Sequence, residues 1–391
     1  MYRLLGFGKD VLVSKVNNMC GKDGNEQLAT RLVKKGGLYA KIAQMVQMQE
    51  GNNHECFNQN TPLNPVETNK RVLVYKKKFA DKVLIEETPS WFGSTAQVYR
   101  GMEKKTAAAV IIKVRYAGIE EIVAKDLKSF TSGIALLDRK KKFSQFCKDM
   151  KNTIEQEFDY KREIQYINYI HKINKEEGLN FNIPQVKLAL STDNEICMTQ
   201  IMGETLSLWM KDKTQQDYNM LGKKLCTFLY SLMNKYDLIY CDPHWSNFLI
   251  DENNCLGIVD FGSIVEVPRA YRSHRYKFHR SCVNKDYEEF VESAGGMELF
   301  DKNCNEEGKK YLYDFFCCNL TPFMTDNFKF EPLFMSKCKQ IPFETLNYIN
   351  VRSHVYPFVK MSYNLNNLLC RLKCEGNFKE IMEISQERMA N

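Results

Sequence analysis

Tyr240-Cys241-Asp242-Pro243-His244-Trp245-Ser246-Asn247, followed by Asp260-Phe261-Gly262, is the stretch on which the reading of this chain turns. Moving a phosphoryl group asks little covalent chemistry of a protein. It asks for a divalent cation held on the phosphates and a nucleophile held in line. Mg²⁺ prefers oxygen ligands, and Asp and Asn side chains supply them. Asp242 stands five positions before Asn247. Phe248-Leu249-Ile250, a turn at Asp251-Glu252-Asn253-Asn254, and the run from Leu256 to Val259 then predict a short hairpin. Such a hairpin returns the chain, so that Asp260 reaches the ions that Asn247 reaches. Asp, Asn and Gly are common in turns, and Asp-Phe-Gly alone says little. Spacing, hairpin and Asp-Phe-Gly together say much more.

Working upstream, a strand lysine is needed to reach the nucleotide phosphates and to pair with a helix glutamate. Lys113 follows Val110-Ile111-Ile112, a β-branched run bounded by turn residues. Its candidate partners lie in Glu157-Phe158-Asp159-Tyr160-Lys161-Arg162-Glu163. Glu157 and Glu163 are six residues apart, so on a helix they point in different directions and would not serve one lysine. In order and spacing, these residues match a protein-kinase-like ATP site.

The flanking sequence predicts an α+β, bilobal protein-kinase-like fold. A small β-rich N-lobe precedes a larger helical C-lobe, with a helical extension at the N-terminus. The expected division is 1–70 for the extension, 71–203 for the N-lobe with inserted helices and 204–391 for the C-lobe. Leu28 to Gln49 has apolar residues at helical spacing, and Gly51 to Pro65 reads as a loop rich in Asn, Gly and Pro. Helices are predicted over Val72 to Val83, Ile119 to Leu137 and Phe146 to Lys172. Strands are predicted over Thr95 to Gly101 and Ala109 to Ile112, with a further pair over Gln185 to Ala189 and Glu195 to Gln200. From Leu206 onward the pattern is mainly helical apart from the hairpin.

Composition bounds the function. The 391 residues are 44% hydrophobic and 26% charged, which predicts a packed core. A net charge of +7 suits an anionic ligand or an acidic membrane surface, but lacks the concentration of a nucleic-acid binder. The basic runs Lys76-Lys77-Lys78 and Arg139-Lys140-Lys141-Lys142 read as solvated faces. The 14 cysteines show no zinc spacing and read as free thiols of a reducing compartment. Met1 to Val16 lacks the apolar stretch of a secretory signal. No apolar run approaches the roughly 20 residues that span a bilayer. A soluble intracellular protein is expected, with peripheral membrane contact left open and mitochondria and cytosol both allowed.

Together the motifs resemble the UbiB, or aarF-domain, family of atypical kinases. Its catalytic loop DPHPGN is matched by Asp242-Pro243-His244-Trp245-Ser246-Asn247. Its KxGQ motif is matched by Lys41-Ile42-Ala43-Gln44, and its S-x-G-Q-V nucleotide loop by Ser94-Thr95-Ala96-Gln97-Val98. Val114-Arg115-Tyr116-Ala117-Gly118 approximates V-Q-x-P-G, with Asp126-Leu127 following. Glu157-Phe158-Asp159, with Glu163 after it, matches ExD and its helix glutamate.

The resemblance implies ATP and Mg²⁺ as cofactors. It implies that Lys113 binds phosphates and pairs with Glu163, that Asp242 is the catalytic-loop acid, and that Asn247 and Asp260 hold the metal. Ser94, Ala96 and Gln97 would line the nucleotide. Lys41 and Gln44 would lie on an extension folded over the site, meeting Glu157 and Asp159 and restricting access by protein substrates. ATPase or phosphotransferase activity tied to ubiquinone or lipid metabolism follows, with a lipid or quinone-like small molecule as partner. A nucleotide- or lipid-binding pseudokinase scaffold is the alternative, as is a small-molecule phosphotransferase of the aminoglycoside or choline kinase type. The chain departs from the pattern at Trp91-Phe92-Gly93 (an alanine run in the family), Ala43, Ala96, Trp245-Ser246, Tyr240 and Gln200. These changes bear on nucleotide affinity and preference more than on fold, and two bulky rings near the nucleotide would narrow its pocket or stack on the base.

Overall fold

The computed structural model describes residues 64–93, 95–135, 156, 158–338, 348–350 and 355–382. The helical extension predicted over 1–70 lies almost wholly outside these. The chain divides into two units. One takes residues up to Lys172 together with Ile183–Ile201, and the other takes Ile173–Asn182 and Met202–Asn391. The first carries the five-stranded sheet and the second is mainly helical, which is the predicted α+β, bilobal class.

In the first unit, helix α1 (Pro65–Lys78) starts seven residues before the predicted Val72 and stops short of Val83. Pro65 belongs to the helix because a proline at the first position needs no N–H partner and already has helical φ. Lys76, Lys77 and Lys78 close it, where cations suit the helix dipole. Strands β1 (Val83–Ile85), β2 (Trp91–Phe92), β3 (Ala96–Glu103), β4 (Ala109–Arg115) and β5 (Glu195–Thr199) form one antiparallel sheet, ordered β1-β3-β4-β5, with β2 also pairing β3. Alternation along β4 sends Val110, Ile112 and Val114 into a core with Val72, Tyr75 and Phe79 of α1, and with Tyr99, Leu190 and Cys197. By the same alternation, Ile111, Lys113 and Arg115 take the opposite face.

Two predicted elements come out differently. Gln185 to Ala189 forms a single bridge, Val186 to Met198, and then a 3₁₀ turn over Leu188–Leu190. The Ser191 hydroxyl accepts from the Cys197 N–H at 3.0 Å and donates to the Lys187 carbonyl at 3.0 Å, so a side chain replaces the next rung of a ladder. Of the helix expected over Phe146 to Lys172, residues 146–155 and 157 lie outside the described residues. Asp159 is not helical, and α3 (Tyr160–Glu176) begins after it, following α2 (Ile119–Ala135). The Asp159 carboxylate accepts from the Arg162 N–H at 3.1 Å, the bond an N-cap makes.

The second unit carries β6 (Glu204–Thr205), α4 (Gln215–Tyr236), β7 (Leu238–Tyr240), β8 (Phe248–Ile250), β9 (Leu256–Ile258) and β10 (Ile264–Glu266). Helices α5 (Arg272–Asn284), α6 (Tyr287–Gly296) and α7 (Glu306–Leu320) follow, then β11 (Phe328–Lys329), α8 (Pro332–Lys337), α9 (Val355–Arg371) and β12 (Glu375–Gly376). A capping box of Thr214 and Asp217 starts α4, and Asp237 ends it with φ 56. The Asp237 carboxylate there takes Arg272 at 2.7 Å and Arg275 at 2.5 Å, which fixes where β7 begins. Aromatic rings fill the core, with Phe278 edge-on to Phe316 at 4.9 Å and beside Phe290 at 5.2 Å. Among the described residues no helix is long and apolar enough to cross a membrane.

Gly222 tests the fit of α4 against the C-terminal segment. A Cβ there would meet the Cys374 sulfur at 2.5 Å and Leu369 Cδ2 at 3.0 Å. Gly→Ala inside a helix ordinarily adds about 1 kcal/mol. Here overpacking against the fully buried Cys374 reverses the sign. Gly222→Ala is expected to lose about 1–2 kcal/mol, read as a fall in urea midpoint with unchanged slope.

Candidate active site

In the first unit, Lys113 sits on the central strand, opposite Val98 of β3 and Ile196 of β5. Its Nζ donates to both carboxylate oxygens of Glu163, at 2.8 and 3.0 Å. The Glu163 side chain is 2% exposed and that of Lys113 15%. Glu163 lies one turn into α3, where its N–H donates to the Asp159 carbonyl. The Asp159 cap therefore fixes which helix residue faces the strand lysine. The Tyr160 ring centroid lies 5.7 Å from the ammonium. Of the two candidate partners, Glu163 is brought to Lys113, and Glu157 lies outside the described residues.

Ala96 and Gln97 are buried at the start of β3, and Gln97 Nε2 donates to the Tyr99 hydroxyl at 2.7 Å. Trp91 and Phe92 pair with Val98 and Gln97 as a strand, so the turn through Gly93 is a tight hairpin. Trp91 is 47% exposed, and the Arg100 guanidinium lies 4.7 Å above its ring. The Trp91 ring thus has a partner on its own sheet. Beside the helix cap, Arg115, Glu120, Phe158, Asp159, Tyr160, Lys161 and Asp193 line a cavity of about 390 Å³. Ser94, Lys41 and Gln44 lie outside the described residues.

In the second unit the hairpin forms as predicted, β8 against β9 with Phe248 opposite Ile258. The Val259 N–H donates to the Asn247 carbonyl at 3.1 Å, which sets Asp260 beside the catalytic-type loop. Trp245–Asn247 is a 3₁₀ turn capped by the His244 side chain. Asn247 Nδ2 donates to the Asp242 carbonyl at 3.0 Å. The Asp260 carboxylate accepts from the Gly262 N–H at 3.0 Å. Tyr240 donates its hydroxyl proton to the Asp260 carbonyl at 2.8 Å. It ties the two halves of the motif together. The structure brings Asp242, Asn247 and Asp260 into one bonded segment.

Helix α9 adds two contacts that the sequence did not disclose. Asn364 Nδ2 lies 3.2 Å from Asp242 Oδ1 and 3.3 Å from the Cys241 carbonyl, donating to both, and the residue is 5% exposed. Arg371 places its guanidinium 4.2 Å above the Trp245 ring. The signal for Asn364 was an asparagine on the apolar stripe of Met361, Leu365 and Leu368, since a buried amide must find partners.

The family model of the ABC1 atypical kinase-like domain matches residues 75–294, more than half of the sequence. The chain belongs to this family. It is 23% identical over 193 residues to the mitochondrial atypical kinase COQ8 of Saccharomyces cerevisiae, covering 48% of this chain and 37% of that protein. It is 22% identical over 213 residues to the chloroplastic protein ACTIVITY OF BC1 COMPLEX KINASE 3 of Arabidopsis thaliana, covering 52% and 29%. The matched stretch therefore spans about a third of either relative. The erythromycin complex of Rv3197 from Mycobacterium tuberculosis is similar in fold, with a TM-score of 0.61 at 17% identity, covering 98% of this chain and 100% of that one. Asn364 and Arg371 lie beyond the family match, so the catalytic-type loop of this ABC1 protein is supported by sequence outside it.

Proposed function

We propose that this ABC1-family protein binds ATP with Mg²⁺ and turns it over, as an ATPase or as a phosphotransferase to a small or lipid-like, quinone-type acceptor. The observation that carries the reading is the pair of Lys113 and Glu163. A lysine in the middle of a sheet, held by both oxygens of a buried glutamate, is pre-oriented for phosphate oxygens.

The donor set suits Mg²⁺. Asn247 gives its amide nitrogen to Asp242, so oxygen is what it offers a cation, and Asp260 offers carboxylate oxygen. Among the described residues no group of three or more His, Cys, Asp or Glu side chains is placed to hold a metal, and Mg²⁺ needs none. It takes one or two protein oxygens and completes its shell with water and phosphate. Bound there, it would neutralise charge on the phosphates. Lys113 would bind phosphate oxygens in its fixed position. Asp242, held in place by the Asn364 amide, would orient the attacking hydroxyl or water and take its proton. Ala96 and Gln97, with Ser94, would line the nucleotide. Lys41 and Gln44 would meet Glu157 and Asp159, and the cavity at Asp159 gives such a contact room. The division 1–70, 71–203 and 204–391 remains our proposed domain plan.

Mg²⁺-dependent release of phosphate from ATP by the purified chain tests this. Phosphate release that survives removal of Mg²⁺ would refute it. A chain that binds ATP but neither hydrolyses it nor transfers labelled phosphate to any of a panel of small hydroxylated or quinol acceptors would be a scaffold. Asn364 is proposed as a positioning residue for Asp242. Asn364→Ala is expected to lower kcat about tenfold with little change in KM for ATP, because one hydrogen bond to a charged group contributes about 1.5–3 kcal/mol. Asn364→Asp, which sets a second carboxylate on Asp242, should lose more and regain part of its rate at lower pH.

A further inference from the structure

The second unit also carries sulfur chemistry that nucleotide turnover leaves unused. The Sγ atoms of Cys318 and Cys338 stand 3.5 Å apart. Cys318 lies near the end of α7, and Cys338 caps the C-terminus of α8. The Cys338 thiol is also 3.6 Å from the Cys318 carbonyl. Two sulfurs in contact need to approach by only about 1.5 Å to bond.

Most buried cysteines act as small apolar groups that fill space. Cys226 and Cys374 fit that description, since both are 0% exposed. Cys318 does not. It is partly exposed, while Cys338 in contact with it is buried. The Cys338 thiol and the nearby Lys337 ammonium favour the Cys318 thiolate and draw that thiol below its ordinary range, while Cys338 is pushed up. An accessible sulfur with thiolate character in contact with an enclosed second sulfur is the arrangement of an attacking and a resolving thiol.

We propose that Cys318 and Cys338 form a reversible dithiol–disulfide site, with Cys318 as the attacking thiol and a low-molecular-weight disulfide of the glutathione type as oxidant. The Cys318 thiolate attacks one glutathione sulfur, forming a mixed disulfide as the glutathione S–S bond breaks and one glutathione thiolate leaves. Cys338 then loses its proton and attacks the Cys318 sulfur, closing the protein bond and expelling the second glutathione. The protein gives up two electrons and two protons, and the oxidant becomes two thiols. The bond would join α7 to the end of α8. Helix α8 packs on α9, which carries Asn364 to Asp242, so the bridge would fasten the support of the catalytic-type loop. The dithiol site stands whether or not the chain turns over ATP.

The test equilibrates the full chain in buffers of reduced and oxidised glutathione, traps free thiols with iodoacetamide, and maps the products by mass spectrometry. Expected is an intramolecular bond joining the peptides of Cys318 and Cys338, with alkylation of both falling at least tenfold and returning under excess reduced glutathione. Cys318→Ser and Cys338→Ser should each lose the bond, and only the first should also lose the glutathione adduct that precedes it. In the wild type, no intramolecular bond, a bond from Cys338 to Cys370 in place of Cys318, or a glutathione adduct that persists on Cys318 would each overturn the proposal. The wild-type map decides even where a variant does not fold.

Discussion

Asp260→Asn is expected to reduce Mg²⁺-dependent ATP turnover by on the order of 10²–10³-fold, since a metal contributes several kcal/mol of charge stabilisation and each 1.36 kcal/mol is tenfold in rate. The substitution is chosen because Asn keeps an oxygen to accept from the Gly262 N–H, a bond of 3.0 Å in the native chain. The backbone of Asp260-Phe261-Gly262 should therefore hold, with Phe261 still fully buried. What is lost is the negative charge on the proposed metal ligand. The same loss should appear without turnover. ATP and Mg²⁺ at 100 times Kd stabilise a folded state by about 2.7 kcal/mol through mass action. Wild type should show a larger rise in Tm with ATP and Mg²⁺ together than with ATP alone, and Asp260→Asn should show only the rise that ATP produces alone. Equal rises in the two proteins would remove Asp260 from the metal site.

Removing the Glu163 carboxylate should disturb both stability and chemistry. Breaking a buried ion pair from one side costs about 3–5 kcal/mol, because the remaining charge is stranded. Lys113 keeps some access to water at 15% side-chain exposure, so the low end applies, and Glu163→Ala should lose about 3 kcal/mol by urea unfolding. ATP turnover should fall with it, as Lys113 loses its orientation. The double change Lys113→Met with Glu163→Leu separates the two effects. Two apolar side chains of similar volume can replace a buried pair at little cost in stability. The double variant should recover most of the folding energy and none of the ATP turnover. Recovery of turnover would show that the pair only holds the fold.

Much of this protein was legible locally. Asp242, Asn247 and Asp260 are linked by a hairpin of two three-residue strands, so their approach follows from turn chemistry and strand alternation within about twenty residues of chain. Lys113 was legible because it follows the β-branched run Val110-Ile111-Ile112 upstream of the catalytic-type segment, and β4 forms there. The start of α3 was written in the sequence as well. Asp159 is a capping residue, but the helical periodicity on either side hid the break. Gln185 to Ala189 misled because its composition suits a strand, while the Ser191 hydroxyl competes for the Cys197 N–H.

What sequence by itself determined is the α+β class, the order of the two units and the identity of the acid, amide and lysine that the motif requires. Those follow from periodicity and spacing, which are properties of neighbouring residues. The family resemblance named Glu163 as the lysine's partner and the fold brings it there from 50 residues away, whereas tertiary structure alone decided that Asn364 reaches Asp242 across 122 residues. It also decided that Arg371 covers Trp245, that Arg100 covers Trp91 and that Cys318 meets Cys338. A buried amide or carboxylate must find a partner, but local pattern does not say which one. Only the packing of helices and strands chooses among the groups that come within hydrogen-bonding reach.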